Sequence, residues 1–136
     1  MDVTLFNLAP DAAEIARKWL QSLASEKRLA LKTREAYTSD FMQFTAFLAE
    51  HGDAVADKAT LESTSLSDFR AFMARRKSDG ISSRSLARQV SALRSFFRFA
   101  ERNGHFVNRA YGAVRTPKLP HAIPRPLPEA AAAQTA

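Results

Sequence analysis

The sequence contains no cysteine, which excludes disulfide bonds and thiolate metal sites. It has only three histidines, His51, His105 and His121, far apart and without ligand spacing, which argues against a zinc centre. No apolar run approaches the ~20 residues needed to span a bilayer. Near the N-terminus, Asp2 stands where a secretion signal would carry positive charge. Neither strand periodicity nor an internal repeat is visible. These absences lead to the expectation of a soluble, cytoplasmic, all-α protein that needs no metal and no cofactor.

A further shortage is local. From Ser82 to Lys118 the only acid is Glu101, against Arg84, Arg88, Arg94, Arg98, Arg102, Arg109, Arg115 and Lys118. Residues 1–26 are the reverse, with Arg17 and Lys18 against Asp2, Asp11, Glu14 and Glu26. The overall charge is +6. So one-sided a segment points to an anionic partner, nucleic acid or anionic lipid. Composition alone leaves open a solvated basic face with no partner.

What is present suffices for one domain and a tail. The 136 residues are 46% hydrophobic, enough for a real core. Pro10-Asp11 signals a helix start, and Ala12, Ile15, Ala16, Trp19, Leu20 and Leu23 recur at helical spacing, predicting a helix over 11–25. A second helix is predicted over 32–51, with Tyr37, Phe41, Phe44 and Leu48 on one stripe and Gly52 as its C′ residue. Residues 53–64 read as a polar loop with at most one short turn. A third helix, capped by Ser65 or Ser67, runs to about Lys77, and Asp79-Gly80 is a turn signal. A fourth runs from a cap at Ser82 or Ser83 to Asn103, stopped by Gly104, and Tyr111 can sit on one more turn. Five of the six prolines (Pro117, Pro120, Pro124, Pro126, Pro128) fall within 117–128 and predict an extended linker, followed by an alanine-rich stub. The expected architecture is a bundle of four main helices over 1–116, with 117–136 as linker and stub.

The last predicted helix separates into two faces. With Arg84 at 0° and ~100° per residue, Arg88, Ser91, Ser95, Arg98 and Arg102 all fall within about 40° of it. Leu86, Val90, Leu93, Phe97 and Ala100 fall on the opposite side, between about 160° and 240°. A helix fits the major groove of B-DNA, arginine offers a bidentate fork to phosphate or guanine, and serine lets the backbone come close. No acid on that stripe relieves the repulsion among its arginines, so an anion opposite would explain the row. Lys27, Arg28, Lys32, Thr33 and Arg34 form a second basic cluster at a helix N-terminus, where phosphate binding is favoured, though solvation explains it equally well. Arg70, Arg75, Arg76 and Lys77 end the third helix, where the macrodipole favours cations anyway.

The run from Ser82 to Phe99 (SSRSLARQVSALRSFFRF) resembles the signature of the N-terminal, core-binding domain of tyrosine site-specific recombinases, nearest to the XerC/XerD type and favouring XerC. Thr33 to Phe44 (TREAYTSDFMQF) resembles that domain's second-helix stretch, and Arg115 to Pro120 its exit toward the catalytic domain. The resemblance covers about Trp19 to Leu127. It implies a four-helix bundle forming half of a clamp on duplex DNA, with the second and fourth helices toward the major groove. Carried over by position, it implies a DNA-contact region of Lys32, Thr33, Arg34 and Tyr37, and of Ser83, Arg84, Arg88, Gln89, Ser91 and Arg94, although Tyr37 stands on the core stripe of its helix, where packing is the better reading. It also implies a partner recombinase of the XerD kind on the same recombination site, a role in chromosome dimer resolution, and no small-molecule ligand. Two departures weaken the cap of the second helix: Ala30 replaces the family's usual serine, and Lys32 an asparagine. Arg94, at about 280°, lies off the stripe and can instead support a neighbouring helix. The family's chemistry resides in a second domain, through a tyrosine nucleophile with arginines, a lysine and histidines. Tyr37 and Tyr111 are the only tyrosines here, and neither has the matching context. The implication is a non-enzymatic DNA-binding portion of a DNA-breaking and rejoining enzyme. An independent helical regulator of DNA and a basic helical protein-interaction module are the competing readings.

Overall fold

The computed structural model describes residues 6–116; the linker and stub expected over 117–136 lie outside them. Five helices account for most of the described chain: α1 Pro10–Ser25, α2 Leu31–Gly52, α3 Lys58–Ser63, α4 Leu66–Ser78 and α5 Ser83–Arg102. A single 3-10 turn, Tyr111–Ala113, follows. No strand occurs among the described residues; one isolated parallel bridge pairs Leu8 with Ala56. The all-α expectation, with four long helices, holds.

The apolar spacing names the inward faces. All six α1 residues named from the sequence are buried, as are Phe41, Phe44 and Leu48 of α2. Tyr37 is half-buried. α5 packs chiefly on α2, with α1 and α4 on its flanks. Phenylalanines fill the junction: Phe97 meets Phe44, Phe69, Phe96 and Phe106 at ring-centroid separations of 5.2 to 6.2 Å, all edge-on. Such pairs add about 0.5–1.5 kcal/mol each beyond burial.

Three local features differ from expectation. The 53–64 segment contains α3, whose first turn is closed by Asp57 accepting from the Thr60 N–H at 2.8 Å and whose Leu61 is buried. At the end of α2, Gly52 is still helical, and Asp53 takes the left-handed conformation at φ +60°. Asn108, not singled out from the sequence, is buried. It donates to the carbonyls of Leu61, Glu62 and Thr64 and accepts from the N–H groups of Ala110 and Tyr111, tying the chain after α5 to the end of α3.

Candidate nucleic-acid interface

Ser82 caps α5, its hydroxyl accepting from the Ser85 N–H at 3.1 Å. Arg84, Arg88, Ser91, Arg98 and Arg102 are exposed along one side of the helix. At ~1.5 Å per residue the row from Arg84 to Arg102 extends about 27 Å. Leu29 and Tyr37, on either side of the start of α2, line a cleft with Ser91, Arg98 and Arg102 of this row. Ala30 is the N-cap of α2 and supplies no side-chain hydrogen bond, so the first-turn N–H groups are left to solvent or to a ligand. Lys32 is exposed there, while Thr33 and Arg34 are half-buried. Arg34 Nε donates to the Leu29 carbonyl at 3.1 Å, bracing the turn between α1 and α2. In that turn Arg28 sits at φ +53°, left-handed and without a glycine's freedom.

The arginine row is not wholly unpaired, as the sequence suggested. Arg88 Nε and Nη2 donate to the two carboxylate oxygens of Asp40 on α2, each at 2.8 Å. Asp40 is only 2% exposed, whereas the Arg88 side chain is 44% exposed. The carboxylate hydrogen bonds raise the Arg88 pKa. The neighbouring Tyr37 phenol is also shifted upward, first by burial and then by the Asp40 charge, which is the opposite of nucleophile activation.

Gln89 faces inward, 1% exposed. Its amide donates to Gln43 Oε1 at 2.7 Å and to the Asp40 carbonyl at 3.4 Å, and its oxygen accepts from Arg76 Nε at 3.3 Å. It therefore welds α2, α4 and α5 together and presents no polar atom to a groove. Its helical angle, about 140° from Arg84, belongs to the buried side, so periodicity alone could have found this. Ser95 also leaves the polar row: its hydroxyl accepts from the Trp19 indole N–H at 3.0 Å. Arg94 is half-buried and Nη2 donates to the Val114 carbonyl, while Nε is buried without a hydrogen-bond partner. The off-stripe angle anticipated such a supporting role, with the segment after α5 as the partner in place of a helix.

Between α1 and the distal half of α5 lies an open cleft of about 380 Å³. Lys27, Arg94, Arg98 and Arg102 line it with Glu26 as the single acid, and Tyr37 and Ser91 also line it. The structure thus sets the turn before α2 and Tyr37 beside the distal half of the α5 row, from Ser91 to Arg102, while Asp40 meets Arg88 nearer the start of α5. A rigid, positively charged helix face of this length can lie along a polyanion. Among the described residues no helix is long and apolar enough to cross a membrane.

Residues 16–104, more than half of the chain, match the family described as phage integrase, N-terminal SAM-like domain. Among similar proteins, one named Tyrosine recombinase XerC from Methylobacterium nodulans is 48% identical over 124 residues, covering 91% of this chain and 38% of that protein. The protein of the same name from Bradyrhizobium diazoefficiens is 44% identical over 98% of this chain and 42% of its own length. That from Rhizobium meliloti is 40% identical over 87% of this chain and 37% of its own. The chain thus spans about two fifths of the relatives it matches. No solved structure matches.

Proposed function

The chain belongs to the phage-integrase N-terminal SAM-like domain family, and from that premise we propose that it grips duplex DNA as the core-binding part of a tyrosine recombinase of the XerC kind. The observation that carries the reading is the exposed row Arg84, Arg88, Ser91, Arg98 and Arg102 on a 20-residue helix whose opposite face is locked into the core. α5 enters the major groove. Arg84 and Ser83 grip at its capped start, and Lys32, Thr33 and Arg34 approach the backbone from the uncapped start of α2. Gln89 and Arg94, carried over by resemblance, hold the framework instead. In this reading the chain performs no bond chemistry itself. It acts in the cytoplasm in site-specific recombination and chromosome dimer resolution, with a XerD-like recombinase on the same site.

Titrating duplex DNA against the protein at increasing salt tests the proposal. Neutralising about five phosphates gives a slope of log K against log salt near −4 to −5. Binding indifferent to salt, or none at low salt, overturns it and leaves an acidic protein as the better partner for this face.

A further inference from the structure

Arg88 differs from the other exposed arginines of α5 in having its guanidinium held from behind by a buried carboxylate. Asp40 takes the Nε and Nη2 edge with two equal 2.8 Å hydrogen bonds. That carboxylate cannot swing away, because it is buried on α2 one residue before the fully buried Phe41. Two of the five guanidinium N–H groups are consumed; both on Nη1 and one on Nη2 remain. They include the terminal pair of parallel N–H groups, on the edge turned away from Asp40. The Arg88 side chain is nevertheless 44% exposed, and the neighbouring residue along the row, Ser91, is short.

This arrangement suits a base better than a phosphate. The pair with Asp40 has no net charge, so it adds little to attraction by the DNA backbone. What it adds is direction. An arginine side chain loses much rotamer freedom when it is fixed on a base, and here most of that restriction is already imposed in the fold. In the major groove guanine presents O6 and N7, two acceptors that match the free edge of an arginine fork. Arg88 lies in the second turn of α5, where base-reading side chains of recognition helices are placed.

Resting on the DNA-binding reading above, we propose that Arg88 is the guanine-reading residue of this domain, with Asp40 as its positioning residue. The other exposed arginines of the row serve the phosphates. Arg88 then sets sequence preference at one base pair and leaves the salt dependence of binding almost untouched.

The test selects bound duplexes from a pool with a randomised central segment, then remeasures the best site with 7-deazaguanine at each enriched guanine, which removes N7. With the unaltered protein, one such replacement weakens binding about tenfold or more. Arg88→Lys keeps the charge and loses the fork. It abolishes the preference at that position alone, becomes insensitive to the same replacement, and leaves the salt slope unchanged. Asp40→Asn loses the same preference with Arg88 still present, whereas Arg84→Ala keeps the preference and lowers the slope by about 1. Absence of any sequence preference, tolerance of 7-deazaguanine at every enriched position, or a preference surviving Arg88→Lys overturns the proposal. The 7-deazaguanine arm needs no altered protein, so a variant that misfolds does not shield it. Absence of salt-sensitive duplex binding overturns the DNA reading itself; salt-sensitive binding that tolerates 7-deazaguanine overturns only the role of Arg88.

Discussion

Removing the guanidinium of Arg88 and removing the carboxylate of Asp40 do not cost the same. Asp40 is 2% exposed, so Arg88→Ala strands a negative charge inside the protein, a loss of about 3–5 kcal/mol for a fully buried pair. Since Arg88 itself is partly in water, the lower end of that range applies. Asp40→Ala is milder, because the freed guanidinium can turn outward into solvent. Urea denaturation should therefore rank wild type above Asp40→Ala, and Asp40→Ala above Arg88→Ala; the reverse order of the two variants would mean that the pair does not carry the buried charge. Arg88→Ala is consequently a poor test of DNA contact. The pairing was invisible in the sequence because Asp40 lies 48 positions away, and helical-wheel reasoning sees only neighbours on the same helix. Gln89 failed for a different reason: its angle pointed inward, and positional analogy to a family overrode it. Asn108 carried no signal, since its five hydrogen bonds join segments whose proximity only the fold creates.

At the scale of the element, the two helices that begin near the basic face are capped differently. α5 has Ser82, whereas α2 has Ala30 at φ −59° and ψ 150°, a conformation that a capping residue adopts without strain. Ala30→Ser should stabilise the protein by about 1 kcal/mol, read as a rise of about 4 °C or more in Tm. Ala30→Asp should give a similar gain while weakening DNA binding, because it sets an anion where the phosphate would lie. If both properties rise together, the start of α2 is not part of the interface. α4 supplies a pH-dependent case. Its capping box joins Ser65 and Asp68, and the Ser65 backbone N–H, aided by its hydroxyl and by His51 at 3.4 Å, holds the Asp68 carboxyl below the usual carboxylate range despite partial burial. A lowered folded-state pKa stabilises above the unfolded value and is lost as pH falls through the folded one. Asp68→Asn should thus be less stable than wild type at pH 7, with the gap closing below about pH 4 in parallel thermal melts. That cap was legible to within two candidates, Ser65 and Ser67, and the acid three residues after Ser65 is the local pattern that selects it. α3 was not: its six residues bury one apolar side chain, Leu61, too few to show a period.

At the scale of the whole molecule, the charge asymmetry read from the sequence becomes a geometric one. Core packing fixes which side of α5 is outward, and the row then continues past Ser91 to Arg98 and Arg102, where Lys27 faces them across the cleft. These distal cations distinguish a short contact at the helix start from a grip along the full length of α5. Arg98 and Arg102 are both exposed, so replacing them with alanine should change stability by no more than about 0.5 kcal/mol. If the helix lies along DNA for its whole length, the double substitution removes about two phosphate contacts. The slope of log K against log salt then moves from about −4 or −5 to about −2 or −3. The selected sequence preference should survive, since it belongs to the proximal turns. A slope unchanged by Arg98→Ala with Arg102→Ala would confine the interface to the first turns of α5 and turn the cleft into solvated surface. A slope that falls while the preference is kept would divide the helix by task, with its first turns reading bases and its last turns holding the backbone.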